Sequence, residues 1–173
     1  MRIWDSYRRK NGLVIVLSGP SGVGKDSVLE KFISECPEVA RCVTVTTRAP
    51  RANEQPDVDY HFVSVEEFHK MVENGHFLEF AEVHDNFYGT PKPPVMERAN
   101  AGLDTVLKID VQGGLSVKKQ LPEAIMIFLA PPSLDELERR LRSRLTESEE
   151  QIAKRLLDAR TELEQIPYYD YIV

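Results

Sequence analysis

The chain has few of the features that mark secreted, membrane-bound and nucleic-acid-binding proteins. Only two of its 173 residues are cysteines, Cys36 and Cys42, and their spacing matches neither a disulfide framework nor a zinc site. No apolar run approaches the ~18 residues that a membrane-spanning helix needs. Acidic residues outnumber basic ones by 28 to 22, so general attraction to nucleic-acid phosphates is not expected. These absences predict two free thiols, no membrane or nucleic-acid partner, and a cytoplasmic location.

Internal repeats, low-complexity segments and linkers are also missing, which predicts one globular domain over residues 1–173. Hydrophobic residues make up 42% of the chain and charged residues 29%, as in ordinary globular proteins. The basic residues near the start superficially suggest a secretory signal. The apolar stretch that follows, Leu13–Leu17, is short and leads into glycines, so it predicts a buried strand after a frayed terminus.

Apolar runs alternate with amphipathic segments, which predicts an α/β fold with a parallel sheet and helices on both faces. The predicted strands are 13–18, 41–46, 77–83, 105–110, 124–129 and 169–173. Capping patterns predict helices that begin at Ser64 (with Glu67), Ser133 (with Glu136) and Thr146 (with Glu149), and a further helix spans 26–35. The stretch from Val43 to Tyr88 breaks this rhythm and predicts an inserted lobe, and the charged helices around 139–160 predict a partly solvated flap.

The strongest chemical signal is a glycine-rich loop between the first strand and the first helix. It consists of Gly19, Pro20, Ser21, Gly22, Val23, Gly24 and Lys25. Glycines let backbone N–H groups converge on phosphate oxygens, and the lysine reaches the terminal phosphates, so this P-loop predicts nucleotide binding. A hydroxyl residue normally follows the lysine. Here Asp26 does, with Ser27 one residue later; a carboxylate can bind Mg²⁺ but also places negative charge beside a triphosphate.

Three residues outside this loop are candidate substrate ligands. Arg48 and Arg51, three apart on a loop rich in hydroxyls, either clamp one phosphate group in forked hydrogen bonds or lie on a solvated basic loop. Glu79 sits between apolar residues in a strand, where a buried carboxylate needs hydrogen-bond donors; the alternative is a satisfied edge glutamate.

Two more signals lie in the second half of the chain. Asp110 ends an apolar strand, where a P-loop protein places a metal-associated carboxylate, although the residue also suits a helix cap. Arg140 and Arg144 lie four apart on one helix face, and they either reach a nucleotide or belong to a solvated face paired with acidic residues. The other arginines of this region are Arg139, Arg142 and Arg155, and the acidic partners would be Glu136 and Glu147.

The order of these signals resembles that of guanylate kinase, from about Leu13 to Val173. The resemblance is carried by Thr46-Thr47-Arg48 to Arg51, Tyr60-His61-Phe62-Val63-Ser64, Tyr88-Gly89-Thr90, Ile109-Asp110-Val111-Gln112-Gly113 and Ala130-Pro131-Pro132-Ser133. It implies an ATP:GMP phosphotransferase that gives ADP and GDP in purine nucleotide metabolism. ATP and GMP would be its partners, Mg²⁺ its cofactor, and a monomer or homodimer its state.

The resemblance implies a role for each matching residue. Positions 19–27, from Gly19 to Ser27, would bind ATP. The GMP phosphate would be held by Arg48, Arg51, Tyr60 and Tyr88. Glu79 and Thr90 would read the guanine, Thr44 stands where the family usually has a base-contacting serine, and Asp110 matches an acidic residue near the metal and GMP. The catalytic cations would be Lys25, Arg48, Arg140, Arg144 and Arg155, and the metal ligands Asp26 and Asp110.

The family architecture implies a core at about 12–43, 91–136 and 166–173, a GMP-binding lobe at about 44–90 and a lid at about 137–165. Three residues depart from the family pattern. Asp26 replaces a hydroxyl, Lys108 stands where a carboxylate is common, and Leu145 replaces a hinge glycine, which predicts a stiffer lid. Residues 108 and 110 point to the same face of their strand, and such strands lie close to the P-loop, so we expect Lys108 to approach Asp26 when nucleotide is absent and Asp26 to turn to Mg²⁺ when ATP binds. The alternative is that Asp26 is a first-turn helix acid favoured by the helix dipole and Lys108 points into solvent. Family members also usually continue into a helix after the strand that ends this chain.

Two other functions remain open at this point. One is a non-catalytic guanylate-kinase-like module that binds an acidic or phosphorylated protein partner. The other is a P-loop kinase for a different small phosphorylated acceptor. The intact loop with Lys25 favours an enzyme, and Glu79 with Thr90 favours guanine, because guanine offers two N–H donors and one carbonyl acceptor on one edge.

Overall fold

The computed structural model describes residues 11–83, 85–143 and 148–173. Within these ranges the strands are β1 (Val14–Ser18), β2 (Ala40–Arg41), β3 (Thr44–Thr46), β4 (Tyr60–Phe62), β5 (Phe77–Val83), β6 (Asn86–Pro91), β7 (Thr105–Lys108), β8 (Ile125–Phe128) and β9 (Tyr171–Ile172). The helices are α1 (Lys25–Glu35), α2 (Val65–Glu73), α3 (Lys92–Asn100), α4 (Val111–Gln120), α5 (Leu134–Arg142) and α6 (Glu149–Leu163). A 3₁₀ turn spans Ile166–Tyr168.

The strands form two sheets. A five-stranded sheet has the order β2-β7-β1-β8-β9, and its β2–β7, β1–β8 and β8–β9 pairs are parallel. A four-stranded sheet has the order β4-β3-β6-β5, in which β3 and β4 are parallel while β6 runs antiparallel to both of its neighbours. The predicted fold class, an α/β fold with a parallel sheet and a small mixed lobe, is therefore confirmed, and the lobe contains the four-stranded mixed sheet.

By its internal contacts the chain divides into two compact units. The first unit holds the described residues up to Val14 together with Pro37–Leu107, and it contains the four-stranded sheet with α2 and α3. The second unit holds Ile15–Cys36 and Lys108–Val173, and it contains α1, α4, α5 and α6. The finer boundaries of core, lobe and lid stay predictions.

In the first unit, α2 covers one face of the four-stranded sheet. The ring of Phe68 is fully buried and stacks on Phe77 and Phe87, with ring centres 4.6 and 5.4 Å apart. The helix begins as predicted, because the Ser64 side chain accepts a hydrogen bond from the Glu67 N–H at 3.1 Å. Packing one face of the sheet against α2 leaves its opposite face for polar side chains.

In the second unit, the apolar side chains of β1 and β8 form a core. Val16, Met126 and Phe128 are fully buried, and β1 pairs with β8 in parallel register. Helix α5 begins at the predicted cap, Ser133, and buries Leu137. The glycine loop follows β1 directly, so it is anchored to a rigid sheet.

Three local predictions differ from the structure. The single strand predicted for 41–46 is two strands in different sheets, β2 and β3, because alternation of side chains does not specify which strand is the partner. Helix α6 is capped by Ser148 in a reciprocal capping box with Gln151, while the predicted cap Thr146 lies outside the described residues, as do Leu145 and the predicted frayed terminus. Sequence reasoning also assigned no helix to 92–100 or 111–120.

The predicted absences concern the thiols and the membrane. Cys36 and Cys42 are both free thiols. Burial raises the pKa of Cys42 to about 12, and the nearby Glu79 acts in the same direction. Within the described ranges, no helix combines the length and the apolar character that a membrane crossing requires.

Candidate functional site

One face of the four-stranded sheet collects five of the predicted site residues. The strand register pairs Thr44 with Tyr60, Thr46 with Tyr88, and Glu79 with Thr90. Directly paired residues point to the same side of a sheet, as do residues two apart along one strand. The face opposite α2 therefore presents Thr44, Tyr60, Glu79, Tyr88 and Thr90.

On this face, the Glu79 carboxylate is held by its cross-strand partner. The buried Thr90 hydroxyl donates a hydrogen bond to Glu79 Oε1 at 2.5 Å. This bond supplies a donor that a carboxylate in an apolar strand needs. Sequence reasoning directed the Thr90 hydroxyl at guanine, whereas here its proton is directed at Glu79. In this structure Thr90 therefore orients the carboxylate.

The loop after β3 holds Arg48 through a carboxylate that sequence reasoning did not single out. Arg48 Nη2 donates to both oxygens of Glu54, at 2.7 and 2.9 Å. The backbone N–H of Arg51 donates to the same carboxylate at 2.8 Å. The Arg48 guanidinium carbon also lies 5.5 Å from the centre of the Tyr60 ring, within cation–π range. Glu54 thus ties the two predicted phosphate-binding arginines together.

Burial and hydrogen bonding shift pKa values in this cluster. The hydrogen bond that Arg48 donates to the Glu54 carboxylate raises the pKa of Arg48, and the hydrogen bond with the Tyr88 side chain acts in the same direction. The same bond from Arg48, followed by that from the Arg51 N–H, lowers the pKa of Glu54. Burial raises the pKa of Tyr60, whose ring meets the Tyr88 ring edge-on at 6.1 Å. The cluster therefore presents a charged guanidinium beside the neutral phenol of Tyr60 at neutral pH.

In the second unit, the glycine loop joins β1 to α1. Gly19 has φ 144°, and a Cβ there would lie 2.2 Å from the Leu129 carbonyl oxygen. Gly24, the N-cap of α1, has φ 112°. Both conformations favour glycine, because an L side chain would be strained or would clash. The loop is therefore built as the sequence predicts, between a buried strand and a helix N-terminus.

Lys25 folds back over this loop. Its Nζ donates to the carbonyl oxygens of Gly19 at 2.5 Å and Pro20 at 3.1 Å. Burial lowers the pKa of Lys25, and the charge of Lys108 adds to this lowering, while nearby carboxylates oppose it. These carboxylates are Glu162, Asp26 and Asp110.

Two of the three predicted lid arginines contact the glycine loop. Arg140 Nη1 donates to the Val23 carbonyl oxygen at 2.7 Å, and Arg155 Nη1 donates to Ser21 Oγ at 2.8 Å. Arg140 is also oriented by Glu136, which accepts from its Nε at 2.7 Å. The predicted pairing of Arg140 with an acidic residue of its own helix face is thus realised, and the same guanidinium also contacts the glycine loop. Its contact with a nucleotide stays a prediction. Arg144 lies outside the described residues.

The residues that depart from the expected pattern meet as predicted. The Lys108 amine forms an ion pair with the Asp26 carboxylate, beside the first turn of α1. Asp110 begins α4, and its carboxylate accepts from the Gly113 N–H at 2.7 Å. The helix-cap alternative for Asp110 is therefore realised, and the same carboxylate acts electrostatically on Lys25.

Comparison with known proteins gives one consistent result. A family profile described as guanylate kinase matches residues 11–173. The guanylate kinase of Caldanaerobacter subterraneus subsp. tengcongensis is 46% identical over 165 residues, which are 95% of this chain and 80% of that protein. The guanylate kinase of Desulfitobacterium hafniense is 47% identical over 165 residues, 95% of this chain and 82% of that protein. The chain belongs to the guanylate kinase family.

A solved structure agrees with this family. The crystal structure of guanylate kinase from Anaplasma phagocytophilum superposes with a TM-score of 0.72 at 35% identity, covering 95% of this chain and 77% of that chain. The likeness thus extends from the sequence motifs to the fold.

Sequence reasoning on this guanylate kinase family member missed two acidic residues. Glu54 stands among loop residues without periodicity, so no local pattern connects it with Arg48. Glu162 lies on the acidic helix α6, where burial raises its pKa to about 7 and the charge of Lys25 lowers it. The neighbouring charges of Asp110 and Asp158 add to the increase. Only the fold shows that Glu162 faces the P-loop lysine.

The residues near the glycine loop fit a magnesium ion that arrives with phosphates. Among the described residues, no group of three or more histidine, cysteine, aspartate or glutamate side chains is arranged to hold a metal ion. Asp26 nevertheless offers an exposed carboxylate beside Lys25, and Asp110 a second carboxylate in the same unit. Mg²⁺ in phosphate-transfer sites takes one or two carboxylates and completes its shell with water and substrate phosphates. The donor set is therefore of the right kind.

Proposed function

We propose that this protein transfers the terminal phosphoryl group of ATP to GMP, giving ADP and GDP. The observation that carries the proposal is the Glu79 carboxylate, fixed by Thr90 on one sheet face with Tyr60 and Tyr88. This arrangement occurs in a guanylate kinase family member whose P-loop and lysine are intact.

On the acceptor side, Glu79 selects the base. Guanine presents N1–H and N2–H as adjacent donors, and a carboxylate accepts from both. Adenine presents an acceptor at N1, which would face the carboxylate and leave it unpaired. A site built for hydrogen bonds rejects such an analogue strongly, by ~10⁴-fold. Thr44 lies on the same face and contacts the base in our proposal.

The GMP phosphate is held by the arginine cluster. Arg48 and Arg51 donate to its oxygens, and the phenols of Tyr60 and Tyr88 complete the contacts. Charge-assisted hydrogen bonds of this kind are worth about 1.5–3 kcal/mol each. Glu54 is a positioning residue, because it holds the Arg48 guanidinium in one orientation.

On the donor side, the loop from Gly19 to Ser27 binds ATP. Lys25 exchanges its carbonyl partners for the terminal phosphates, while Arg140, Arg144 and Arg155 offset charge on the transferring group. Asp26 and Asp110 would hold Mg²⁺, which when bound would supply further neutralisation of the phosphate charge. Phosphoryl transfer requires little covalent chemistry from the protein, so catalysis consists of positioning, charge neutralisation and exclusion of water.

A substrate panel tests the proposed function. Purified protein is incubated with ATP and Mg²⁺, and ADP formation is compared for GMP, AMP, CMP and UMP. We expect turnover with GMP to exceed turnover with AMP by ~10³-fold or more. Comparable rates with AMP and GMP would contradict the proposed selection of guanine. If ADP formed with none of the four acceptors, the proposed kinase activity would be contradicted. No observation favours the non-catalytic module. A monomeric or homodimeric state and a cytoplasmic location stay predictions.

A further inference from the structure

Two charged residues in the second unit distinguish this glycine loop from the usual P-loop. Asp26 stands where a P-loop normally has a metal-binding hydroxyl. Lys108 is the last residue of β7 and stands where the family commonly has a carboxylate, while Asp110, two residues later, keeps the carboxylate that a P-loop protein places after this strand. The structure pairs these two residues with each other. The negative charge has thus moved from the strand to the loop, and a positive charge has taken its place.

The two partners differ in burial. The Asp26 side chain is 67% exposed, whereas the Lys108 side chain is only 19% exposed. Asp26 can therefore change rotamer into solvent, while the Lys108 amine stays where it is. A largely buried ammonium that loses its carboxylate is costly unless another anion replaces it. Any ligand that draws Asp26 away must therefore bring an anion to Lys108.

The charges around the pair indicate what that anion is. The ammonium groups of Lys25 and Lys108 repel each other, since the charge of Lys108 acts to lower the pKa of Lys25. Lys25 itself donates to the carbonyl oxygens of Gly19 and Pro20. A polyphosphate in the glycine loop would accept from both amines and relieve their repulsion. The displaced carboxylate of Asp26 would then stand beside the same phosphates, where a divalent cation is needed to offset it.

We propose that the Asp26–Lys108 ion pair is an exchange site that makes ATP and Mg²⁺ bind together. A phosphate oxygen of ATP takes the place of the Asp26 carboxylate on the Lys108 amine, and Asp26 turns to the Mg²⁺ ion, directly or through a water. ATP alone meets the negative charge of Asp26, and Mg²⁺ alone would strip Lys108 of its partner. The inference rests on the proposed function only in that ATP binds the glycine loop.

The effect of substituting Asp26 on ATP affinity distinguishes this exchange from a merely structural ion pair. Removing a structural pair would weaken ATP binding with and without metal. Under exchange, Asp26→Asn removes the repulsion that metal-free ATP meets and also removes a metal ligand. The same substitution should therefore tighten binding of metal-free ATP and weaken binding of MgATP.

Calorimetric titration of the full chain with ATP, in excess EDTA and in excess Mg²⁺, measures both affinities. For Asp26→Asn we expect a dissociation constant lower by about fivefold in EDTA and higher by about tenfold in Mg²⁺. Lys108→Met should raise both constants by about tenfold, since the phosphate contact is lost in either case. Asp26→Ser should restore MgATP affinity because it returns the usual hydroxyl.

The control breaks another ion pair on the same helix. Lys31 and Glu35 pair at 2.8 Å on the exposed side of α1, so Glu35→Gln should change neither constant. Thermal unfolding by circular dichroism checks that each variant folds. If Asp26→Asn does not fold, the titration in EDTA is made with Asp26→Ser instead. Changes of the same sign in EDTA and Mg²⁺, or no change in either, would overturn the exchange. If Asp26→Asn shows the sign reversal but the wild-type protein does not phosphorylate GMP, the proposed function alone would be contradicted.

Discussion

In the first unit, the proposed GMP ligands come from four strands and a loop, and the charged groups find partners within the unit. Glu54 pairs with Arg48, and Thr90 binds Glu79. In the second unit, the proposed ATP ligands are nine consecutive residues, and two ammonium groups, Lys25 and Lys108, lie close enough to influence each other. Side chains that are fixed by hydrogen bonds to one another suit selection of one base. A backbone loop with concentrated positive charge suits binding of any triphosphate. Under the proposed function, specificity for the base and binding strength for the triphosphate would therefore have separate structural origins.

The largest loss of activity is expected for a substitution at Lys25, in the second unit. Lys25→Met removes the cation that reaches the transferring phosphoryl group, so kcat should fall by ~10³-fold or more while the fold is retained. Single-turnover measurement of ADP and GDP formation checks this. Lys31→Met is the matched control, because Lys31 lies on the same helix and is exposed. A kcat within tenfold of wild type would remove Lys25 from the reacting centre.

The next effect concerns base selection in the first unit. Glu79→Gln replaces two charge-assisted acceptors by one neutral acceptor, so kcat/KM for GMP should fall by ~100-fold. ATP affinity, measured by calorimetry, should stay unchanged, because the ATP ligands belong to the second unit. Glu82→Gln on the same strand is the control, since Glu82 is exposed and points to the other face. A parallel loss of ATP affinity would show that the two ligand sets are not separable.

The same contrast explains what could be predicted from the sequence. The glycine loop and the caps at Ser64 and Ser133 are contiguous patterns whose chemistry is complete within a few residues, and the structure places them as expected. The ion pair of Asp26 with Lys108 was also predictable, because strand periodicity and the position of the P-loop strand restrict it. Local patterns failed where two of them compete. Thr146-x-x-Glu149 and Ser148-x-x-Gln151 both suit a helix start, and the structure shows Ser148 as the cap.

The acceptor side was predicted only in part, because its contacts depend on register between distant strands. The resemblance placed Glu79 and Thr90 at one base, but the hydrogen bond between them follows from their pairing across β5 and β6. Glu54 had no signal, since only the folded loop brings it to Arg48. The break at 42–43 between β2 and β3 likewise depends on which sheet each strand joins.

A smaller effect should follow from loosening the arginine cluster. Glu54→Gln weakens the grip on Arg48 but leaves the guanidinium in place, so the KM for GMP should rise by about tenfold with kcat for ATP:GMP transfer nearly unchanged. Steady-state kinetics with GMP as the varied substrate measures this. Glu66→Gln, in the exposed first turn of α2, serves as the control. A lower KM would instead mean that Glu54 competes with the GMP phosphate for Arg48.

The smallest effect concerns Glu162 and its response to pH in the protein without nucleotide or metal. Burial raises the pKa of Glu162 to about 7, above its value in the unfolded chain. Between about pH 4.5 and 7 the folded state therefore binds more protons at this group than the unfolded state, so its contribution to stability falls as the pH rises through that window. Glu162→Gln removes this loss, and the gain in Tm over wild type should be larger at pH 8 than at pH 5.

Because Glu162 is only partly buried and Lys25 offsets some of its charge, we expect the gain in Tm at pH 8 to be on the order of 2 °C. Thermal unfolding followed by circular dichroism at the two pH values, in EDTA, measures it. Glu164→Gln, two residues along and exposed, should show no such pH dependence. A Glu162 variant that is less stable than wild type at pH 8 would reverse the interpretation. The ionised carboxylate would then stabilise the fold through its attraction to Lys25. The charged groups of the second unit would then be paired within the unit, like those of the first.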